Sequence, residues 1–451
     1  MAVIRHGSRL ALTTLLAALA GSTAAAQQAS GRSLFINWAR THATRLAGPD
    51  ASGCADLEPL RSAVANARVI ALGELIHDAR ELHLFRNRLV RCLTAHFGVS
   101  AVALESGFAD MAPLHEALLQ PASSVAELTR ERISYGWGGV PEVQALTESM
   151  RGYNAGQPYQ RRTRLYGIDL TGADGSGDFN RARRSIDELL RFLARLDPTG
   201  ARSLQNAFAP FLTRFSETGF PRLSLVARDS VRAFLDSAEA VIRRAPHQNT
   251  GDSSPARAWA LGCLVEARHM MAYLGFQAAL GEHPRERPDF WRLVQMRDSL
   301  MAENVLWVLG QLPKDRRLLI LAHNAHVFAD TGSVTMGPPR PRAPTLLGKR
   351  LRVALGGRYL VIGTDARALG YYVEEQDPVN RESLGSTLGE LGHRWLLLDL
   401  GAAAKEPAVE AWLREPRLVR FQWGYQRIRP AIAADVLIYV DSLSPTGGEI
   451  P

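Results

Sequence analysis

Val69-Ile-Ala-Leu-Gly-Glu-Leu-Ile-His-Asp-Ala-Arg-Glu81 starts apolar, passes a glycine, and then turns acidic, imidazole-bearing and basic. The run Val69 to Leu72 is short and continuously apolar, so it is predicted as a buried strand. Gly73, Glu74, His77 and Glu81, with Arg86 a little further on, then make a charged strand end. Leu318-Leu-Ile-Leu-Ala-His323-Asn324-Ala-His326 repeats the arrangement, with two histidines beyond its own apolar run.

Working outward, the stretch from Asp78 to Ala95 carries Leu82, Leu84, Phe85, Leu89, Val90 and Leu93 at helical spacing. Further strands are predicted at Val99–Leu104, ending in Glu105, and at Leu165–Ile168, ending in Asp169. From Phe179 to about Leu312 the texture is helical, at Ala182–Leu196, Ser230–Arg244, Ala256–Leu280 and Asp289–Leu309, with a polar break at Pro246–Pro255. Strand texture returns at Leu318–Leu321, Leu360–Gly363, Trp395–Leu398 and Val436–Val440. Strands alternating with helices predict an α/β fold: a mostly parallel central sheet flanked by helices, with a large helical insertion at about 179–312. Ser33–Leu46 reads as an amphipathic helix, and Thr331–Thr345, rich in Gly and Pro, as a loop or lid.

In such a sheet, ligands bind beyond the carboxyl ends of the strands. Glu74, His77, Glu105, Asp169, His323 and His326 all follow apolar runs, so the fold can gather them on one edge. His77 is the candidate base. On a helix starting near Glu74 it would share a face with Glu74 and Glu81. A carboxylate beside an imidazole fixes its tautomer and raises its basicity. His323 and His326, flanking Asn324, can face one metal or one substrate, or one ring can donate to a backbone carbonyl as a structural residue.

The 451 residues are 46% hydrophobic and 22% charged, an ordinary globular balance. Residues 1–26 have the form of a secretory signal peptide: Arg5 and Arg9, an apolar stretch from Leu10 to Ala20, then small residues up to Ala26. A periplasmic or secreted protein is expected, with no stable membrane span after cleavage. Removing that segment lowers the formal charge of +8 by two. The positive charge is nearly all arginine, spread along the chain without aromatic-interleaved basic runs, so nucleic-acid binding is not expected. Cys54, Cys92 and Cys263 allow at most one bridge. Buried thiols are the expected state, with a Cys54–Cys92 bridge open. There is no Gly-x-Ser-x-Gly elbow, no His-Glu-x-x-His zinc helix and no phosphate loop, which disfavours serine hydrolases, zincins and nucleotide enzymes. Gly389-Glu-Leu-Gly-His393 copies the spacing of Gly73 to His77 but precedes a strand, and reads as a helix end.

Taken in order, these blocks resemble the erythromycin esterase family. The resemblance lies in Ala71-Leu-Gly-Glu-Leu-Ile-His77 with Glu81 and Arg86, Leu104-Glu-Ser-Gly-Phe-Ala-Asp110, Tyr166-Gly-Ile-Asp169, Arg297-Asp-Ser-Leu-Met-Ala302 with Asn304 and Trp307, and Ala322-His-Asn-Ala-His326. It covers about residues 33–440. It implies a hydrolase, some of whose relatives open the lactone ring of macrolide antibiotics, that uses a histidine-activated water and no cofactor. It implies His77 as general base, Glu74 and Glu105 orienting the base or the water, and Arg86 and His323 polarising the ester carbonyl. His326, Asp169, Glu81 and Asn324 are then implied as substrate-binding or supporting residues. Ile76 stands where the family usually has Ser or Thr, and Asp78 where it commonly has Gly. The expected partner is a small-molecule ester or lactone. The alternatives are a metal-dependent hydrolase using Glu74, His77, Glu105 and His323 as ligands, or an exported haem-, iron- or ligand-binding protein.

Overall fold

The computed structural model describes residues 30–120, 122–245, 253–281, 283–330, 345–370, 381–422 and 424–447. The expected signal peptide therefore lies outside the described residues, as do most of the Pro246–Pro255 break and of the Thr331–Thr345 loop.

Ten strands are described: β1 (Thr44–Arg45), β2 (Val69–Glu74), β3 (Val99–Gly107), β4 (Arg164–Asp169), β5 (Arg317–His323), β6 (Tyr359–Leu369), β7 (Trp395–Asp399), β8 (Arg417–Phe421), β9 (Gly424–Ile428) and β10 (Val436–Leu443). Eight form one sheet in the order β1-β7-β10-β6-β2-β5-β3-β4. The six strands from β10 to β4 run parallel, and β7 pairs antiparallel with both β10 and β1. A separate hairpin joins β8 and β9. The mostly parallel sheet expected from the alternating texture is present. The antiparallel edge and the hairpin have no counterpart in the sequence reading.

Strands buried on both faces read as continuous apolar runs, and that is how β2, β3 and β5 read. Their side chains nevertheless alternate between two cores. Val69, Ala71, Ala101, Ala103, Leu318 and Ile320 face a core shared with Ile186, Leu189, Trp259 and Met301 of the helical segment. Ile70, Leu72, Val102, Leu104, Leu319 and Leu321 face the opposite core, with Phe85, Leu89 and Leu93 of the Arg80–His96 helix. Several small residues meet the helical segment so that its aromatics can approach the sheet. Helices fill the chain between β4 and β5: Arg184–Leu196, Pro198–Leu212, Leu225–Arg244, Ser253–Leu280 and Phe290–Gly310.

Two local expectations are corrected. Glu74 ends β2 and the next helix begins only at Arg80, so Glu74, His77 and Glu81 do not share a helical face. Cys54 and Cys92 are joined in a disulfide with Cα atoms 5.7 Å apart, and only Cys263 is a buried thiol. The bridge ties the 54–57 turn to the Arg80–His96 helix. Beside it the buried Arg88 donates to the carbonyls of Gly48 and Gly53 and pairs with Asp56. A helix signal placed Cys92 on an apolar face correctly, but the partner arrives from a loop with no periodicity to read. The Ser33–Leu46 helix runs over 30–42, and Thr44–Arg45 pairs with the sheet edge as β1.

Candidate active site

Register brings the charged strand ends together. Glu74 and His323 are direct partners across the β2–β5 ladder, and Leu104, one residue before Glu105, pairs with Leu321 on the other side of β5. Asp169 closes β4 next to Gly107 of β3. Four neighbouring strands thus deliver Glu74, His323, Glu105 and Asp169 to the same carboxyl edge. Gly73 makes this packing possible: a Cβ there would lie 2.2 Å from the Asn324 Oδ1.

His77 sits in the loop after β2. Its Nδ1 is 2.7 Å from the Glu74 Oε1, which requires a proton on Nδ1 and leaves Nε2 as the ring's basic nitrogen. Among the described residues, Nε2 has no hydrogen-bond partner. Burial alone would lower the pKa of His77. The Glu74 hydrogen bond and the charges of Glu105 and Glu74 outweigh it, and the pKa rises above 6.5. Glu74, which burial would push up, is instead held at about 2 by the His77 hydrogen bond, with the charges of His77, His83 and Arg86 contributing. The Arg86 Nη1 is 3.7 Å from the Glu74 Oε2. Arg86 Nε and Nη2 are buried and have no hydrogen-bond partner among the described residues.

His323 is fixed by the backbone. Its Nε2 donates to the Leu75 carbonyl at 3.0 Å, and its Nδ1 accepts from the Ala325 N–H at 3.1 Å. Burial, with the nearby charge of His77, drives its pKa down to about 3, so the ring is neutral. Both nitrogens are committed, and neither is left to polarise an ester carbonyl. This is the backbone-donor alternative that the His-x-x-His pattern left open. The ring lies 5.0 Å from that of His77 and buttresses it.

His326 is clamped between Asp298 (2.9 Å from Nδ1) and Glu105 (3.1 Å from Nε2). Burial would lower its pKa, but the two carboxylates raise it to about 10, so it is an imidazolium. Glu105 also accepts the His323 backbone N–H at 2.8 Å and pairs with Arg297 at 3.2 Å. Despite burial, the charge and hydrogen bond of His326, with His77 and Arg297, hold its pKa well below the usual range. Arg297 grips Asp169 bidentately, at 2.9 and 2.5 Å, and donates to the Tyr135 hydroxyl at 2.9 Å. The Tyr135 hydroxyl in turn donates to Asp169 at 2.6 Å. Tyr135 adopts φ 61°, the left-handed region that costs a non-glycine residue energy, and these bonds hold it there.

Two expected supporting residues are engaged elsewhere. Glu81 accepts the backbone N–H and the hydroxyl of Ser444, each at 2.7 Å, at the end of β10. Asn324 is fully buried and bonds the backbone of Thr364 in β6. Both pin the fold and neither lines the cleft. Tyr135, Trp137, His83, Arg297 and Asp298 carry the site's architecture but were not among the expected site residues. Arg297-Asp298 stood in a recognised block, and Ser134-Tyr-Gly-Trp-Gly-Gly139 joins aromatics to glycines, a signal that could have been used.

The residues enclose a cleft of about 430 Å³, lined by the charged and imidazole side chains of Glu74, His77, Arg86 and Glu105 and by the apolar and aromatic ones of Ile133, Tyr135, Trp137 and Leu321. A larger groove, about 700 Å³, lies among the helices near Phe220 and Arg268, with arginines and aspartates but no histidine. The imidazoles and carboxylates of the strand ends line the smaller one. No three His, Cys, Asp or Glu side chains among the described residues are disposed to hold a metal ion.

The chain shares 23% identity with YbfO of Bacillus subtilis (strain 168), named as a hydrolase, over 97% of this chain and 98% of that protein. It is 22% identical to the Escherichia coli erythromycin esterase type II, over 68% of this chain and 71% of the relative. Three solved structures share the fold. A Bacillus cereus protein aligns with a TM-score of 0.71 at 19% identity, covering 92% of this chain and 98% of its own. A succinoglycan biosynthesis protein gives 0.71 at 18%, over 92% and 98%. A mutant of the erythromycin esterase EreC, in its open conformation, gives 0.64 at 16%, over 91% and 99%. The erythromycin esterase profile matches residues 94–443, beginning after the His77 loop. With more than half its length matched, the chain belongs to the erythromycin esterase family.

Proposed function

We propose that the protein hydrolyses a carboxylic ester or lactone with a water activated by His77. The observation that carries this reading is the Glu74–His77 hydrogen bond in the cleft, which leaves Nε2 unpaired while a buried, under-bonded Arg86 flanks the same Glu74. His77 Nε2 takes a proton from water as the oxygen attacks the carbonyl carbon. Arg86 receives the developing oxyanion. The tetrahedral intermediate collapses, the carbon–alkoxide bond breaks, and the proton on His77 passes to the leaving alkoxide, releasing an acid and an alcohol. A lactone yields both on one molecule. In this scheme His323 positions His77 through the ring contact and through its hydrogen bond to the carbonyl of Leu75, two residues before His77. Glu105, neutralised by His326 and Arg297, shapes the field around the base, and Asp169 and Tyr135 hold Arg297. The scheme calls on no cofactor.

An exported site of action is part of the proposal. It is supported by the form of residues 1–26 and by the Cys54–Cys92 disulfide, since such bridges persist in oxidising compartments. The test is incubation with a panel of macrolides, simple lactones and linear esters in 18O-enriched water, followed by product mass. The reading expects one substrate class to gain one water, with one labelled oxygen in the new carboxylate. If none gains water, the reading fails.

A further inference from the structure

The wall of the cleft nearest the Arg80–His96 helix holds two side chains with unpaired polar atoms: His83, which the hydrolytic scheme does not use, and Arg86, which has two unpaired donors where the oxyanion needs one. His83 is 2% exposed and lines the cleft. Its Nε2 lies 2.7 Å from the His77 carbonyl oxygen, which can only accept, so the ring proton is on Nε2. Its Nδ1 is then a bare acceptor, buried and without a partner among the described residues. Burial and the Arg86 charge lower the pKa of His83 to about 4, which keeps the ring neutral and Nδ1 available.

Three positions along the same helix, on the same face, Arg86 presents Nε and Nη2, two parallel donors that are likewise buried and unpaired. A neutral acceptor beside a donor fork is complementary to a hydroxyl group, which accepts one hydrogen bond and donates another. The fork has room for two oxygens, as in its bidentate pairs with carboxylates. One is the carbonyl oxygen of the reacting ester. The second is an oxygen close to it on the acyl chain. The rings of Trp137 and Tyr135 with Ile133 wall the same cleft and suit an apolar remainder. The Trp137 ring lies 6.2 Å from that of His83 and 5.3 Å from that of His77, so it borders both subsite and base.

Resting on the ester-hydrolase reading, we propose that His83 and Arg86 form a hydroxyl-recognition subsite that selects esters or lactones of 3-hydroxy acids. Arg86 donates to the carbonyl and hydroxyl oxygens, and the hydroxyl donates to His83 Nδ1. Leaving out the hydroxyl strands a buried acceptor and a donor, which is the situation in which hydrogen-bonding sites discriminate most sharply.

The test uses a matched pair, benzyl 3-hydroxybutyrate and benzyl butyrate. Binding is measured by calorimetric titration of the His77→Asn variant, and kcat/KM on the wild type. The hydroxy ester is expected to win by about tenfold or more in both measurements. In His83→Phe, which keeps an aromatic ring but no acceptor, the advantage of the hydroxy ester should shrink sharply, since Arg86 alone is left to meet the hydroxyl. A merely structural role for His83 would depress both esters together and leave their ratio intact, and that result overturns the subsite. So does equal binding of the pair by the His77→Asn variant, or failure of both to bind, as when the unpaired groups simply hold water. Equal hydrolysis of both esters by the wild type removes the subsite and leaves the hydrolase reading standing. Preferential binding of the hydroxy ester without turnover does the reverse.

Discussion

His77 was legible because a base needs an orienting acid, and Glu74 stands three residues before it. The geometry of that pair was not legible: the bond forms across a loop at a strand end, not along a helix. His323 shows the limit more sharply. A sequence shows that an imidazole follows a strand, but whether its nitrogens face substrate or backbone depends on Leu75 and Ala325, whose carbonyl and N–H arrive by folding. The Glu74–His77 pair leads to a pH prediction. His77 works as the neutral base, and its pKa lies above 6.5 because the carboxylates stabilise the charged form. Activity therefore rises with pH through a midpoint above 6.5. Glu74→Gln removes the nearest carboxylate, so the midpoint of the kcat/KM profile should shift downward and the plateau should fall, since a weaker base abstracts the proton more slowly. A midpoint that stays in place would separate Glu74 from the base.

At the level of elements, the apolar runs marked every strand that bears the site, because a parallel strand buried on both faces leaves no polar position to confuse the reading. At their carboxyl ends these strands run one to three residues further than the apolar runs: Glu74 and His323 are ladder partners, and Glu105 lies within β3 where its register shifts. What escaped was irregular or weakly patterned. The Ser134–Gly139 turn, with Tyr135 in a left-handed conformation, forms one wall of the cleft, and no periodicity announces it. The Cys54–Cys92 bridge belongs to the same class. It closes a loop across a sequence separation of 38 residues, and for a loop of that size chain entropy gives about 4 kcal/mol of stabilisation. Cys92→Ala is expected to lower the unfolding free energy by about 2–4 kcal/mol in denaturant titration. Thiol titration of the unreduced, denatured wild type should find one reactive thiol, Cys263. Three would mean that the bridge does not form.

Across the whole molecule, the helical segment between β4 and β5 supplies a piece of the site that the sheet lacks. Arg297 and Asp298 come from its last helix and meet Asp169, Glu105 and His326 from the strand ends, so the charge network also fastens the segment to the sheet. That coupling has a pH signature. His326 keeps its proton to about pH 10 in the folded protein, whereas the unfolded chain releases it near 6.5. The stability it contributes is complete below pH 6.5 and is lost as pH rises from there to about 10. On the acid side, Glu74 is depressed from 4.5 to about 2, so its contribution is lost as pH falls through that range. Urea unfolding across pH should show the alkaline decline, and His326→Gln should flatten it. The mostly parallel sheet and the gathering of distant carboxylates at one edge followed from the alternation of elements and the strand-end rule, whereas the strand order did not. The identity of the groups that neutralise those carboxylates did not, because it depends on how a helical layer settles over the sheet. The account as a whole rests on one base. The most direct test is the hydrolysis rate of His77→Asn against that of the wild type on the best ester or lactone, with circular dichroism confirming an unchanged fold. A fall in kcat of about 10²–10⁴-fold is predicted, and undiminished hydrolysis by the folded variant would contradict the account.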